Sequence, residues 1–263
     1  MIELFAYDFF TNAVLAAIIT SITCGVIGTY IVTRRIVFIS GGITHTSFGG
    51  IGIGYFLGFS PLLGAAIFSL LSAFGIEYLS KRKDIREDSA IAIMWSFGMA
   101  VGIIFIYLTP GYAPDLMSYL FGSILTVSKT ELYITLTLCV VVVLFFYFFY
   151  KPILFSAFDQ DFAKTRKIPV DLINYVLISL VALTIVLSIK VVGIILIISL
   201  LTIPQATANL FVKDFKKIIF ISILIGLVAS LAGLSISYYL NIPSGATIIF
   251  SLVSIFVIAR IIK

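Results

Sequence analysis

The only histidine of this chain lies in an apolar stretch that is rich in glycine, and it has the clearest capacity for metal chemistry. This residue is His45, within residues 40–58. An ionisable side chain inside a membrane is costly and usually faces a polar path rather than lipid. Imidazole is also a common ligand of zinc, manganese and iron. His45 is therefore the candidate metal contact, and the alternative is a structural hydrogen bond to a neighbouring helix.

Small residues recur on two faces of the helix predicted for this stretch. On one face, every fourth residue is small: Gly42, Thr46, Gly50, Gly54 and Gly58. This spacing lets a neighbouring helix approach closely, and helix packing alone would explain it. The face of His45 carries three further glycines: Gly41, Gly49 and Gly52. This second face predicts open space beside the imidazole for an ion or a water molecule.

The elements that must position His45 are membrane-spanning helices. Hydrophobic residues make up 61% of the chain and charged residues 11%, whereas a soluble domain is about one quarter charged. The apolar runs do not alternate with polar residues, which excludes an outer-membrane barrel. We expect an all-α polytopic membrane protein of about eight to nine transmembrane helices, forming one transmembrane domain over residues 1–263.

Nine apolar segments are long enough to predict this bundle. They cover about residues 11–33, 36–58, 61–79, 89–109, 132–150, 170–189, 191–206, 218–240 and 244–261. The seventh is short and is predicted to end at Pro204, as a broken or half-length helix. The stretch 110–131 predicts an interfacial helix or part of a span.

The basic residues indicate how the chain is oriented in the membrane. If the N-terminus is outside, only Lys129 and Lys190 of the 17 lysines and arginines fall on the outer side. Cytoplasmic loops carry an excess of such residues. The pattern predicts an outer N-terminus, a cytoplasmic C-terminus and a multi-pass protein of the cytoplasmic (inner) membrane. It also explains the net charge of +5 without a nucleic-acid partner.

One predicted cytoplasmic loop, residues 158–168, has the pattern of a short amphipathic helix. Phe158 and Phe162 share a face at helical spacing. Acidic residues open the loop and basic residues close it, which suits a helix dipole: Asp159, Asp161, Lys164 and Arg166. The loop is either a surface connector between spans or a docking helix for a cytoplasmic partner.

Neither an ATP site nor a catalytic site is evident from the motifs. The sequence lacks the GxxxxGK[ST] phosphate loop and HExxH, and it has no second histidine. Composition therefore indicates a transporter or channel subunit without its own energy source. The remote alternative is a membrane enzyme or an assembly scaffold that uses the glycine-rich span to pack a partner.

The chain resembles the permeases of bacterial metal-uptake ABC transporters, the ZnuB-like zinc and manganese group. Three regions carry the resemblance: the histidine segment 38–52, the segment 158–169 with 191–196 and 204–208, and the segment 243–248. Their order and spacing match the family over essentially the whole chain.

The resemblance implies a homodimer of permeases with two cytoplasmic ATPase subunits and an extracytoplasmic metal-binding protein. It implies that 158–168 is the coupling helix for the ATPase and that His45 contacts the transported divalent metal. It favours zinc as that metal over manganese or iron, and it implies no permanently bound cofactor. Many family members carry an aspartate one helical turn before this histidine, where this chain has Gly41. That departure leaves the identity of the metal open.

Overall fold

The computed structural model describes residues 7–80, 85–110, 122 and 124–263, and these residues form helices without any strand. The helices are α1 (Asp8–Thr33), α2 (Val37–Leu57), α3 (Pro61–Ser80), α4 (Glu87–Leu108), α5 (Lys129–Phe148), α6 (Tyr150–Phe158), α7 (Gln160–Thr165), α8 (Val170–Val192), α9 (Ile194–Phe211), α10 (Phe215–Leu240) and α11 (Ser244–Ile262). A 3₁₀ turn covers Ile124–Thr126. The all-α prediction is confirmed.

Eight of these helices are long and apolar enough to cross a membrane: α1, α3, α4, α5, α8, α9, α10 and α11. The remaining predicted segment is α2, which has 21 residues but many glycine, serine and threonine positions. Its polar side chains Ser40, Thr44 and Ser47 are fully buried. Because protein rather than lipid surrounds these residues, α2 needs less apolar surface than a lipid-facing span.

Helix α9 differs from the prediction because it continues through Pro204 to Phe211, so the expected end at Pro204 is wrong. Proline has no N–H to offer the carbonyl four residues earlier, Leu200 O. The side chain of Gln205 supplies the missing donor, with its Nε2 3.1 Å from Leu200 O. The same Nε2 lies 2.8 Å from Cys24 O of α1. One amide therefore satisfies the carbonyl that the proline leaves unpaired and joins α9 to α1.

Other boundaries follow from local chemistry. Helix α5 begins three residues earlier than its predicted segment, because Ser128 and Glu131 form a capping box. Gly193 separates α8 from α9 with a φ of 81°, a conformation that favours glycine. The basic residues 81–83, and most of the predicted interfacial element in 110–131, lie outside the described residues.

The described helices form two compact units. In the first, α1 packs against α5, α9 and α10, with Ala13, Ala16 and Ala17 fully buried. The second contains α2, α3, α4 and most of α7 and α8. Within it, α2 packs along both α3 and α4, and Phe74 of α3 meets Tyr175 of α8 edge to face, with centroids 5.8 Å apart. His45 belongs to this second unit.

Candidate functional site

His45 lies near the middle of α2, and its imidazole stacks on the indole of Trp95 from α4. The ring centroids are 4.2 Å apart and the ring planes differ by 6°. A second ring, Phe48 of α2, has its centroid 6.3 Å from that of His45. Nδ1 of His45 is buried and has no hydrogen-bond partner among the described residues. The structure therefore offers Nδ1 no structural hydrogen bond within that part of the chain.

The first glycine face brings α2 into direct contact with the backbones of its neighbours. A Cβ atom added at Gly50 would overlap Gly64 O of α3, and one added at Gly54 would lie 2.8 Å from Cα of Pro61. At Gly42, the added atom would lie 2.5 Å from Cγ2 of Ile91 in α4. These positions hold glycine because a side chain would push the helices apart.

Thr46 fits the same face because α4 provides the small partner. A Cβ atom added at Gly98 would lie 2.5 Å from Cα of Thr46. Gly58 is an exception to the packing prediction, which is wrong at this position. It is the left-handed C-cap of α2, with a φ of 74° and no atom within 4 Å of an added Cβ. It ends the helix rather than packing it.

The second glycine face is not open, contrary to the prediction. A Cβ atom added at Gly49 would lie 2.7 Å from the ring of Phe68, and one added at Gly52 would lie 2.5 Å from Gly102 O. Beside His45 itself, the indole of Trp95 occupies the predicted space. An added Cβ at Gly41 would lie 3.7 Å from Cζ3 of Trp95, which is an ordinary contact. The glycines here allow aromatic rings and backbone to approach α2.

No group of three or more histidine, cysteine, aspartate or glutamate residues converges on a common point in the described part of the chain. Around His45 the recorded ring contacts are with Phe48 and Trp95. The two cysteines, Cys24 and Cys139, are buried in the first unit. Among the described residues, His45 is therefore not part of a cluster of three or more such side chains.

The predicted helix over 158–168 is interrupted, which corrects the expected boundaries. Helix α6 ends at Phe158, Asp159 is extended with φ −150° and ψ 99°, and α7 covers Gln160–Thr165. Aspartate disfavours helix interiors because its side chain competes for nearby backbone groups. Beyond α7, Lys167 has a φ of 57° and Ile168 N donates to Ala163 O at 3.2 Å. This is the hydrogen-bond pattern of a Schellman motif.

The predicted coupling residues remain at the surface of their own units. Phe158 is 65% exposed and Phe162 is 41% exposed. Lys164 Nζ lies 3.7 Å from Asp161 Oδ1, and the guanidinium carbon of Arg166 lies 5.4 Å from the centroid of Phe162. In α7 the buried residue is Ala163. Exposed aromatic rings among charged side chains are a composition suited to protein contact.

Trp95 is the site residue that the sequence analysis missed. A signal for it is present in α4, where Ile91, Trp95, Gly98 and Gly102 are three or four residues apart. These residues share one face, and they meet the small residues of α2. This pattern of small residues indicates that α4 can pack closely on α2, but it does not fix the register that brings the indole to His45.

The ABC 3 transport family matches residues 6–263 of this chain. Among individual proteins, the manganese transport system membrane protein MntC of Halalkalibacterium halodurans is 35% identical, covering 98% of this chain and 88% of its own length. The manganese import system permease protein ScaB of Streptococcus gordonii is 32% identical, covering 96% and 91%. The structure of PsaBC from Streptococcus pneumoniae in complex with Fab superposes with a TM-score of 0.86 at 34% identity, covering 98% and 95% of the two chains.

Proposed function

The chain belongs to the ABC 3 transport family and is the permease of a metal-ion ABC importer, and we propose that the ion it carries is manganese(II). It is a transport protein, so the membrane-enzyme alternative is wrong. The observation that carries the choice of metal is the similarity, over nearly the whole chain, to permeases named for manganese. The resemblance to the zinc and manganese group favours zinc, whereas these relatives support manganese.

His45 is the residue that we assign to contact with the ion in transit. It is the sole histidine, and it lies inside a helix whose polar side chains are screened by neighbouring helices. Manganese(II) accepts oxygen ligands, including water, and imidazole. A site that contributes one imidazole from each of two copies would leave most ligand positions to water. Such a site binds weakly enough to release its ion, as conduction requires.

The partners follow from the same proposal. Two copies of the chain form the translocation path in the bilayer, and an extracytoplasmic metal-binding protein delivers the ion. A separate pair of ATPase subunits hydrolyses ATP, since the sequence has no phosphate-binding loop. The exposed Phe158 and Phe162 are assigned to the contact with these ATPases, which makes 158–168 the coupling segment.

Uptake by the reconstituted importer tests the choice of metal. The permease, its ATPase and its binding protein are placed in proteoliposomes, and ATP-dependent uptake of radioactive manganese is measured against added zinc or iron(II). We expect saturable manganese uptake that unlabelled manganese inhibits at lower concentrations than zinc or iron(II) does. Vesicles without ATP provide the background. If the vesicles take up zinc, and zinc inhibits manganese uptake at lower concentrations than unlabelled manganese does, the manganese assignment is overturned. The transport class would remain intact.

A further inference from the structure

Trp95 is the only tryptophan of the chain, and it is stacked on the only histidine. We propose that Trp95 is the positioning residue of the metal path, and that its indole holds the imidazole of His45 in the orientation that binds the ion. This inference rests on the proposed function, because it presumes that His45 contacts the ion. It adds a residue from α4 to a site otherwise carried by α2.

The need for such a residue follows from the surroundings of Nδ1. A metal-binding imidazole usually donates a hydrogen bond from its second nitrogen, and that bond fixes the orientation of the ring. Nδ1 of His45 is buried without a hydrogen-bond partner in the part of the chain that the structure describes. The nearly parallel indole, at 4.2 Å, supplies a different constraint on the same ring. Stacking fixes the plane of the imidazole while leaving its edge, where the ligand electron pair lies, uncovered by that contact.

Close contacts between α2 and α4 on both sides of His45 keep the indole in register. Three residues before the histidine, Gly42 meets Ile91, and immediately after it, Thr46 meets Gly98. Because both contacts join α2 to α4 at close approach, the two helices cannot slide along each other without steric overlap. Trp95 lies between Ile91 and Gly98 on α4. The stack is therefore a property of the packed helix pair as well as of the two side chains.

Gly41 gives the indole room beside the histidine. An added Cβ at this position would reach van der Waals distance from Cζ3 of Trp95, at 3.7 Å. A side chain at position 41 would therefore start in ordinary contact with the indole, without overlapping it. This chain thus combines a glycine one helical turn before the histidine with a large ring on the facing helix.

Binding measurements on variants of Trp95 test the proposal. The permease with its ATPase subunits, without the metal-binding protein, is titrated in lipid nanodiscs with radioactive manganese(II), and thermal unfolding is recorded for every variant. We expect Trp95→Leu to weaken manganese binding by about tenfold or more, the usual scale for losing a group that orients a ligand. Trp95→Phe keeps an aromatic face and should stay within about threefold of the original affinity. The matched control is Phe97→Leu, which removes the stack of Phe97 on Phe68 (centroids 6.1 Å apart) and should leave the affinity unchanged.

Tryptophan fluorescence provides a second measurement, which is informative even if Trp95→Leu does not fold. The difference in emission between the original protein and Trp95→Phe belongs to the indole of Trp95. Manganese(II) is paramagnetic and quenches the fluorescence of a nearby indole. We expect quenching over the same concentration range as binding. Unchanged binding in Trp95→Leu, an equal loss in Trp95→Leu and Trp95→Phe, or full binding without quenching would each overturn the positioning role. Full binding and uptake in His45→Ala would instead overturn the proposed function on which it rests.

Discussion

The indole of Trp95 lies parallel to the imidazole of His45, with 4.2 Å between the ring centroids and 6° between the planes. The two residues are fifty positions apart in the sequence and come from α4 and α2, which pack along their length. One face of the imidazole is therefore covered by an apolar ring. An ion at this site must approach the edge of the imidazole, which is also where a nitrogen ligand binds a metal.

Removing the imidazole is expected to stop transport without loss of folding. His45→Ala should abolish manganese uptake in proteoliposomes, and His45→Gln should do nearly the same, because an amide replaces a hydrogen bond but is a poor transition-metal ligand. Thermal unfolding in detergent should change little for His45→Gln. If His45→Gln transports normally while His45→Ala unfolds, the histidine is structural and the metal path lies elsewhere.

A carboxylate at position 41 is expected to strengthen the ion site. Gly41→Asp places an oxygen ligand one helical turn before His45, and the local contacts leave room for its Cβ. Manganese binding should tighten by about tenfold or more, equivalent to about 1.4 kcal/mol, and turnover should slow because release becomes harder. Gly41→Asn has the same shape without the charge and serves as the control. Equal affinity for the two variants would contradict a carboxylate effect.

Truncating the two exposed aromatic rings of the coupling segment is expected to release the ATPase. The double variant Phe158→Ala with Phe162→Ala should weaken the complex by about 30-fold or more, since an anchoring aromatic often contributes about 2 kcal/mol at an interface. Co-purification measures the loss. Phe220→Ala removes a comparably exposed ring from α10 and should have no effect. Full co-purification and normal uptake by the double variant would make 158–168 a connector only.

The close contact of α2 with α3 predicts that alanine lowers the stability of the protein at one glycine and not at another. The methyl group of Gly50→Ala would overlap Gly64 O, and such overpacking lowers the free energy of unfolding by about 1–3 kcal/mol. At Gly75 the added methyl group meets Cε of Met94 at 3.3 Å, and this flexible side chain can move. We expect a lower unfolding temperature for Gly50→Ala and an unchanged or higher one for Gly75→Ala, because alanine favours the helix. Equal unfolding temperatures would show that the two backbones are not in contact at Gly50.

The orientation of the chain in the membrane is tested by cysteine labelling. The background lacks Cys24 and Cys139, both buried. Asn241→Cys and Lys213→Cys then place single thiols at exposed positions on opposite predicted sides. An impermeant maleimide should label the first in intact cells and the second only after permeabilisation. The reverse pattern would invert the topology, while the helix assignment would stand. Lys83, also predicted to be cytoplasmic, lies outside the described residues.

Hydropathy and short-range chemistry were sufficient to predict most of the helices. Spans are recognised by the sum of their residues' transfer energies, which does not depend on the neighbouring helices. The capping box of Ser128 and Glu131 is likewise a local motif, although the predicted segment began after it. Family membership could also be recognised from the sequence, since the histidine and coupling segments stand at a characteristic separation.

Tertiary structure decided what each helix face contacts. Pro204 predicted a helix end, but Gln205 supplies a donor that allows α9 to continue and also reaches Cys24 O on α1. The glycines around His45 predicted open space, and the structure instead places Trp95 there. The pattern of small residues determines that something packs closely against α2, because a missing side chain leaves a groove. Which residue fills the groove depends on the rotation and register of α4, which arise only when both helices pack.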